Sequence, residues 1–419
     1  MIIVFIKKSA LPYDFLNYKG DEKMKNSSDF LSNNLFKFEN YPCECQKETI
    51  FDAPGQAPHF KLKVCALPNK EPLRFSYSAQ SGLNQSGKGG AVISENILGQ
   101  LLSLPSGDID AAISFLEKFG FLFPVSGKHY ETIEGAALLE IIERVKATIM
   151  LMSSIAGKRD YKKMLIYTTY LLYTDPVKIE LSTGDYHSFI HPFKGKLETY
   201  NNMFDVSSSQ EIFDNGFISI FDTLNNRYKK IDACNLTGMC SGDGINNLQG
   251  SNTKHFRNLF ALYTNYPTDD TNLRNIIDFY YNYQVEVGVF KELTTDKITY
   301  YASPKIENFT NEMKELLLKI AHYTIGEEIN YNLTKISPRF SIETLEPSWK
   351  LNSFLEALYF SVFYMKPSAE LYKKCENKNC KHQKYFLIDA TITNKKYCCQ
   401  ACANAAAQRR NRQRKLESK

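Results

Sequence analysis

Residues 375–402 read Cys375-Glu-Asn-Lys-Asn-Cys380, then seventeen residues, then Cys398-Cys-Gln-Ala-Cys402. Two close cysteine pairs with such a spacer suit a tetrahedral zinc ion: each pair supplies one edge of the tetrahedron and the spacer returns the chain as a hairpin. Lys384 to Ile388 has the pattern of a first strand, with Tyr385 and Phe386 on opposite faces, Asn394 turns the chain back, and Tyr397 precedes the third ligand. So short a stretch buries no core of its own, since folding below ~40 residues usually needs a staple. A metal would be that staple, and its binding free energy would be folding free energy. Ala401 to Arg414 is rich in helix formers, which puts Cys402 in a first helical turn with Cys398 just outside it. We therefore expect Zn2+ on Cys375, Cys380, Cys398 and Cys402, with Cys399 as the alternative to Cys398. His382 follows Cys380 too closely to be the better ligand and is expected to be exposed.

Charge concentrates in the same tail. Residues 371–419 hold thirteen Lys and Arg against three acids, a net +10, whereas the whole chain of 419 residues is only +5. The preceding 370 residues are therefore −5. A mildly acidic body with one basic end points to a polyanion for that end alone. Arg409, Arg410, Arg412 and Arg414 spread over more than half of a helix circumference at ~100° per residue. That distribution suits phosphates along a groove better than a single acidic partner helix. DNA or RNA is the expected partner, and a protein-interaction adaptor docking through the zinc module is the alternative.

The tail resembles the CGNR-type zinc-finger proteins of bacteria. Cys375-x4-Cys380 matches the first pair, Phe386 and Tyr397 the hairpin aromatics, Asn404 the asparagine after the last ligand, and Arg409, Arg410 and Arg412 the basic helix. Ala403 and Ala405 stand where that family has Gly and Arg, and the second pair is one residue shorter counted from Cys398. Ser94 to Leu104 followed by Ile109 to Gly120 also looks like the helical region of such proteins. The resemblance implies a zinc-binding, nucleic-acid-binding or transcription-regulatory protein whose upstream region acts as a sensor or interaction domain.

Upstream, residues 1–90 read as irregular and polar, with short strands at Phe60 to Cys65 and Leu73 to Tyr77. Helices are expected after Ser94, and from Asp108, an N-cap, to Gly120, a C′ glycine. Two more run from about Ile133 to Ile155 and from Tyr161 to Thr174, the last stopped by Asp175-Pro176. From 177 to 370 short strands (Val177 to Leu181, Gly216 to Asp222, Val285 to Phe290, Ile298 to Tyr301) alternate with helices at Lys254 to Leu262, Thr271 to Tyr283, Pro304 to Ile325 and Leu351 to Met365, with a break at Gly238 to Gly250. The expected fold is α+β. A mostly helical body (1–90 irregular, 91–176 helical, 177–370 mixed, the last two regions open to a protein partner or small effector) precedes a small zinc-ribbon or treble-clef-like module at 371–419.

Hydrophobic residues make up 43% of the chain, enough for a sizeable core, which excludes disordered and disulfide-scaffold classes. Apolar runs such as Phe354 to Met365 fall short of the ~20 residues of a membrane span, and Met1 to Ile6 lacks the pattern of a secretory signal, so a cytoplasmic protein is expected. No enzyme chemistry is expected either. Gly82 to Lys88 fits seven positions of a phosphate-binding P-loop, but Gly89 stands where Ser or Thr should hold magnesium, and a glycine-rich turn is the expectation. Cys43, Cys45, His59 and Cys65 are expected to be ordinary side chains, because two cysteines one residue apart rarely converge on one ion. His187 and His191 lie in strand or loop, where that spacing does not bring them together. Glu140, Glu143, Glu327 and Glu328 are expected on solvated helix faces.

Overall fold

Alternation of Phe36 and Phe38 with polar neighbours makes a strand of Asn34–Asn40 (β1), both rings being buried. The computed structural model describes residues 34–51, 58–78, 81–87, 91–94, 96–156, 159–203, 258–259, 262–263, 268–342, 345–366, 370–380, 385–389 and 394–417. The strand expected at Gly216 to Asp222, the break at Gly238 to Gly250, most of the helix expected at Lys254 to Leu262, and Lys88 lie outside them.

Five further strands precede the first helix: Cys43–Ile50 (β2), His59–Ala66 (β3), Leu73–Ser78 (β4), Gly82–Ser86 (β5) and Val92–Ser94 (β6). The strands read from the sequence correspond to β3 and β4. Of the others, β2 and β5 escape that reading because their patterns are mostly polar, and β6 because it is only three residues long. β5 buries Asn84 and Gln85, and Asn84 stays satisfied by accepting the Asn96 N–H at 2.8 Å. All pairings are antiparallel, in the order β1-β4-β5-β6 in one sheet and β2-β3-β7 in another, where β7 is Glu131–Glu134.

Helix α1 (Ile97–Ser103) is capped by Asn96, whose side chain accepts the Gly99 N–H at 3.1 Å, two residues later than the expected Ser94. Asp108 and Gly120 bound α2 (Ile109–Phe119) as the sequence predicts. At φ 84° Gly120 leaves room for Asn40, which donates to Phe119 O and Phe121 O at 3.2 and 3.1 Å; a Cβ there would lie 2.3 Å from Asn40 Nδ2. Helices α3 (Gly135–Ile155) and α4 (Tyr161–Tyr173) follow, the second starting at the Asp160 cap and ending before Pro176.

Beyond them come the short pair Lys178–Ile179 (β8) and Tyr186–His187 (β9), then α5 (Pro192–Met203) and α6 (Thr271–Glu286). Residues Val285 and Glu286, expected in a strand, complete α6, and the strand begins at Phe290. The chain continues through Phe290–Leu293 (β10), Ile298–Tyr300 (β11), α7 (Asn311–Leu333), Ser337–Ser341 (β12), Glu346–Lys350 (β13) and α8 (Phe354–Tyr364). It ends with Glu370–Lys374 (β14), Tyr385–Asp389 (β15) and α9 (Gln400–Glu417). Helices with small antiparallel sheets make the described chain α+β.

Two apolar cores share α3 as their common wall. The first joins β1 to β5 with α1, α2 and α8 around Phe75, Phe115 and Phe354; the second joins α4, α6 and α7 around Tyr280, Phe279 and Leu317. Leu138, Ile142 and Ile149 serve the first, while Ala147 and Leu151 serve the second. Asn34–Lys419 forms one compact unit, and packing crosses the boundaries expected near residues 90, 176 and 370.

Candidate metal centre

The β14–β15 hairpin has two working faces, fixed by register. Tyr372 pairs with Leu387 and Lys374 with Tyr385, while Leu371 pairs with Ile388 and Lys373 with Phe386. Tyr372, Leu387 and Tyr385 turn to the first core of the body. Phe386 and Ile388 turn the other way, against Cys375 and Cys402. The body grips its face of the hairpin by backbone: Tyr385 N–H donates to Ser103 Oγ on α1 at 3.2 Å and Tyr372 N–H to Ser153 Oγ on α3 at 3.4 Å. Close approach here requires Gly99, where a Cβ would meet Tyr385 O at 2.7 Å.

Cys375 directly follows β14, so the strand aims it. A tight turn, closed by Cys380 N–H to Asn377 O at 2.9 Å, brings Cys380 back, and Glu376 N–H to Lys396 O at 2.9 Å lays the returning chain alongside. Cys398 ends that return, and α9 begins at Gln400, so Cys402 points inward from its first turn. The Sγ atoms of Cys375, Cys380, Cys398 and Cys402 all lie within 4.8 Å of one another. Three of the separations, Cys380 to Cys398, Cys398 to Cys402 and Cys402 to Cys380, are 3.6 Å. A tetrahedron with ~2.3 Å Zn–S bonds has S···S edges of ~3.8 Å. Four thiols at this spacing could hold a metal ion, and the all-sulfur donor set suits a soft or borderline cation such as zinc. Cys399 lies 3.8 Å from Cys398 Sγ and outside the group of four.

Burial opposes ionisation of Cys375, yet the backbone N–H groups of Cys398 and Asn377 outweigh it and hold its thiol below the usual range. Burial pushes Cys402 up to about 11, while the Asn377 side chain works in the opposite direction. A bound cation replaces these protons, so metal binding here releases protons.

The four arginines separate into two groups. Cys402 and Ala406 are buried on the face of α9 that packs on the module, and at ~100° per residue Arg409 continues that stripe. Its guanidinium donates to Asn377 Oδ1 and, through Nε, to Ala405 O at 3.4 Å. Arg410, Arg412 and Arg414 are exposed. Sequence reasoning missed Asn377; its signal was an asparagine inside the Cys375–Cys380 turn, where that residue favours bends through its own side chain.

The other candidate clusters resolve differently. Cys43 and Cys45 share the buried face of β2 with their Sγ atoms 3.9 Å apart, and Cys43 donates to Leu116 O at 3.3 Å. Cys65 pairs with Glu44, on the opposite face, and His59 pairs with Ile50 at the far end of β2, so these four do not assemble. Gly82–Ser86 is a strand paired on both sides, and Lys88 lies outside the described residues. His187 is exposed on β9, whereas His191 is buried beside Glu328, its Nε2 3.3 Å from Glu328 Oε2.

The glutamates expected in solvent are a correction. Glu328 is 1% exposed and Arg144 2%, with Arg144 Nη2 to Glu328 Oε2 at 2.9 Å and Nε to Oε1 at 3.2 Å. Tyr359 OH donates to Glu328 Oε1 at 3.0 Å. Burial disfavours the carboxylate, but Arg144, with His191, outweighs it and pulls Glu328 down to about 2. Burial lowers the His191 pKa and keeps its imidazole neutral. Glu143 is buried with Lys146 at 2.6 Å and accepts Thr295 Oγ1 at 2.8 Å. Glu140 accepts Tyr170 OH at 2.7 Å, and burial pushes its carboxyl up to about 7. Because α3 faces a core on either side, Glu143, Arg144 and Lys146 are buried and Glu140 is half-buried, as is Glu327 on α7.

Among the described residues, no helix is long and apolar enough to cross a membrane. Comparison of the chain with protein-family models, with curated proteins and with solved structures gives no significant match.

Proposed function

We propose that the protein holds Zn2+ on Cys375, Cys380, Cys398 and Cys402 and uses the helix leaving that site to bind the phosphate backbone of DNA or RNA, as a transcription-regulatory protein of the CGNR-type zinc-finger kind. One observation carries the proposal: Arg410, Arg412 and Arg414 are exposed on α9, the helix whose first turn contributes the last thiol of the cluster. Position along the helix puts Arg410 and Arg414 about 40° apart and Arg412 on the other side, so the cations span a groove rather than a point. Zinc supplies the fixed anchor that an 18-residue helix of such polarity lacks by itself. The acidic body stands off from the polyanion and serves as the surface for a protein partner or small effector. No catalysis is assigned to it, and its location is taken as cytoplasmic.

The test is binding of the full chain to duplex DNA, single-stranded DNA and RNA by fluorescence anisotropy across a salt series. Three phosphate contacts give a log–log slope of about −2.7 on duplex DNA and about −2.1 on single strands. Alanine at Arg410, Arg412 and Arg414 together should flatten the slope while zinc stays bound. A wild-type slope near zero overturns the proposal.

A protein-interaction adaptor is the second reading: the sequence places its docking face on the zinc module, and the β12–β13 hairpin offers another. Phe340, Ile342 and Leu345 are exposed there, Ile342 at 87%, and a cluster of exposed apolar side chains offers a face for apolar docking. Apolar docking would leave binding insensitive to salt.

A further inference from the structure

Asn377 touches more of the cysteine cluster than any spacing rule assigns to it. It is 6% exposed. Its backbone N–H reaches the Cys375 sulfur, its side chain the Cys402 sulfur, and its carbonyl accepts the Cys380 N–H at 2.9 Å. One asparagine thus contacts three of the four cysteines. Its Oδ1 also accepts the Asn379 N–H at 3.3 Å and the Arg409 guanidinium. Arg409 stands two turns along α9 from Cys402, on the same face as buried Ala406, so the chain of contacts runs from the sulfurs through Asn377 to the third turn of the helix.

We infer that Asn377 and Arg409 are positioning residues, an outer-shell couple that fastens α9 to the metal knuckle and makes the presentation of Arg410, Arg412 and Arg414 depend on metal occupancy. Two physical effects converge on the couple. A zinc ion with four thiolates carries −2, and Arg409, relayed through the amide dipole, places a cation where it offsets that charge. The planar guanidinium fork also bonds Asn377 and Ala405 together, which a lysine ammonium does not do from one rotamer. Groups that hydrogen-bond metal ligands typically govern affinity by 10- to 100-fold. Metal loading would then orient the outward arginines, and metal loss would free the helix from its seat. The role rests on the zinc reading above but not on nucleic acid, and Arg409 becomes a strut and not a phosphate contact.

The experiment uses the full chain and reads metal directly. Zinc affinity is measured by competition with a chromophoric chelator for wild type, Asn377→Ala, Arg409→Ala, the double variant, Arg409→Lys, and the triple alanine variant at Arg410, Arg412 and Arg414. Each single alanine should weaken zinc binding by about 10- to 100-fold, the double variant should add little to the larger single loss, and Arg409→Lys should recover part of it. The triple variant should keep wild-type zinc affinity. In the cobalt(II)-loaded protein, the thiolate-to-cobalt charge-transfer band should move in Asn377→Ala and Arg409→Ala and stay put in the triple variant. Circular dichroism checks that each variant keeps the helices of the body. Wild-type zinc affinity and an unmoved cobalt band in Arg409→Ala overturn the inference, most clearly if that variant loses one further unit of salt slope. A wild-type chain that binds zinc but no nucleic acid removes the proposed function and leaves the couple standing.

Discussion

The metal knuckle and the charged seam along α3 both gather polar groups away from water, and they do it by opposite means. In the knuckle, four thiols from 28 residues of chain converge on one point, so local spacing defines the site and a cation can neutralise it. Along the seam, Arg144 on α3 meets Glu328 on α7 across 184 residues of sequence, and protein charge neutralises protein charge. A site built from neighbours can be read and can be emptied. The seam is visible only once the helices are packed, and nothing exchanges with solvent to empty it.

Removing one partner should therefore damage both sites, with a different measurement registering each loss. On the proposed zinc reading, Cys380→Ser would leave three thiolates for the ion, and because structural zinc contributes about 10–16 kcal/mol of binding free energy at neutral pH, this is the largest expected effect. Metal analysis should fall from one zinc per chain toward none, and amides of residues 370–417 should lose hydrogen-exchange protection. Cys43→Ser, by contrast, should leave zinc content unchanged. Its partner Cys45 is held protonated by Cys43 and by burial, and both thiols behave as small apolar side chains of the first core. Equal zinc loss in the two variants would erase the contrast between the cysteine groups.

In the seam, Glu328→Ala strands Arg144, whose Nη1 already lacks a hydrogen-bond partner among the described residues. Breaking a buried pair on one side costs about 3–5 kcal/mol, to be read as a lowered midpoint in urea while zinc stays bound. The pH dependence has a definite sign. Because Glu328 titrates near 2 in the folded chain and ~4.3 unfolded, its contribution is complete above pH ~4.3 and fades as pH falls toward 2. Glu328→Ala should flatten that acid limb. A variant as stable as wild type would mean that the seam contributes nothing net and that Arg144 is not stranded.

How much of this was legible follows from the same contrast. Sequence spacing identified the four cysteines that come together, but a count of cations does not say which side of a helix packs, so it did not separate half-buried Arg409 from the exposed Arg410, Arg412 and Arg414. Caps and breakers bounded α2 and the end of α4 well, since Asp108, Gly120 and Pro176 act within one turn of themselves. Strand β5 was illegible because its buried positions include Asn84 and Gln85, the first satisfied by a partner twelve residues away. The charges of α3 were misplaced in solvent for a related reason. Glu140, Glu143, Arg144 and Lys146 interrupt a helix that is otherwise apolar nearly all round, and such a helix is buried on every side. That pattern was available, and it implied that each charge needed a partner within the protein, near in sequence for Glu143 and Lys146 and distant for Arg144.

Glu140 gives the smallest effect and the finest test of the seam, because its sign is opposite to that of Glu328. Its Oε2 accepts Tyr170 OH at 2.7 Å, its Oε1 has no hydrogen-bond partner among the described residues, and burial raises its carboxyl to about 7 despite Arg144 one turn along α3. The folded chain thus holds this proton more tightly than the unfolded chain, where the group titrates at ~4.3. Stability from Glu140 is complete below pH ~4.3 and is lost as pH rises through 7, after which the loss is constant. Glu140→Gln keeps an acceptor for Tyr170 and cannot ionise, so it should match wild type at pH 4 and exceed it at pH 8. The expected gain is about 1–3 kcal/mol, since each pH unit between the folded and unfolded titrations corresponds to ~1.4 kcal/mol and partial exposure reduces the full difference. Urea midpoints at the two pH values measure this directly. A gain at pH 4 that equals the gain at pH 8 would show that packing of the amide, and not the buried proton, sets the difference.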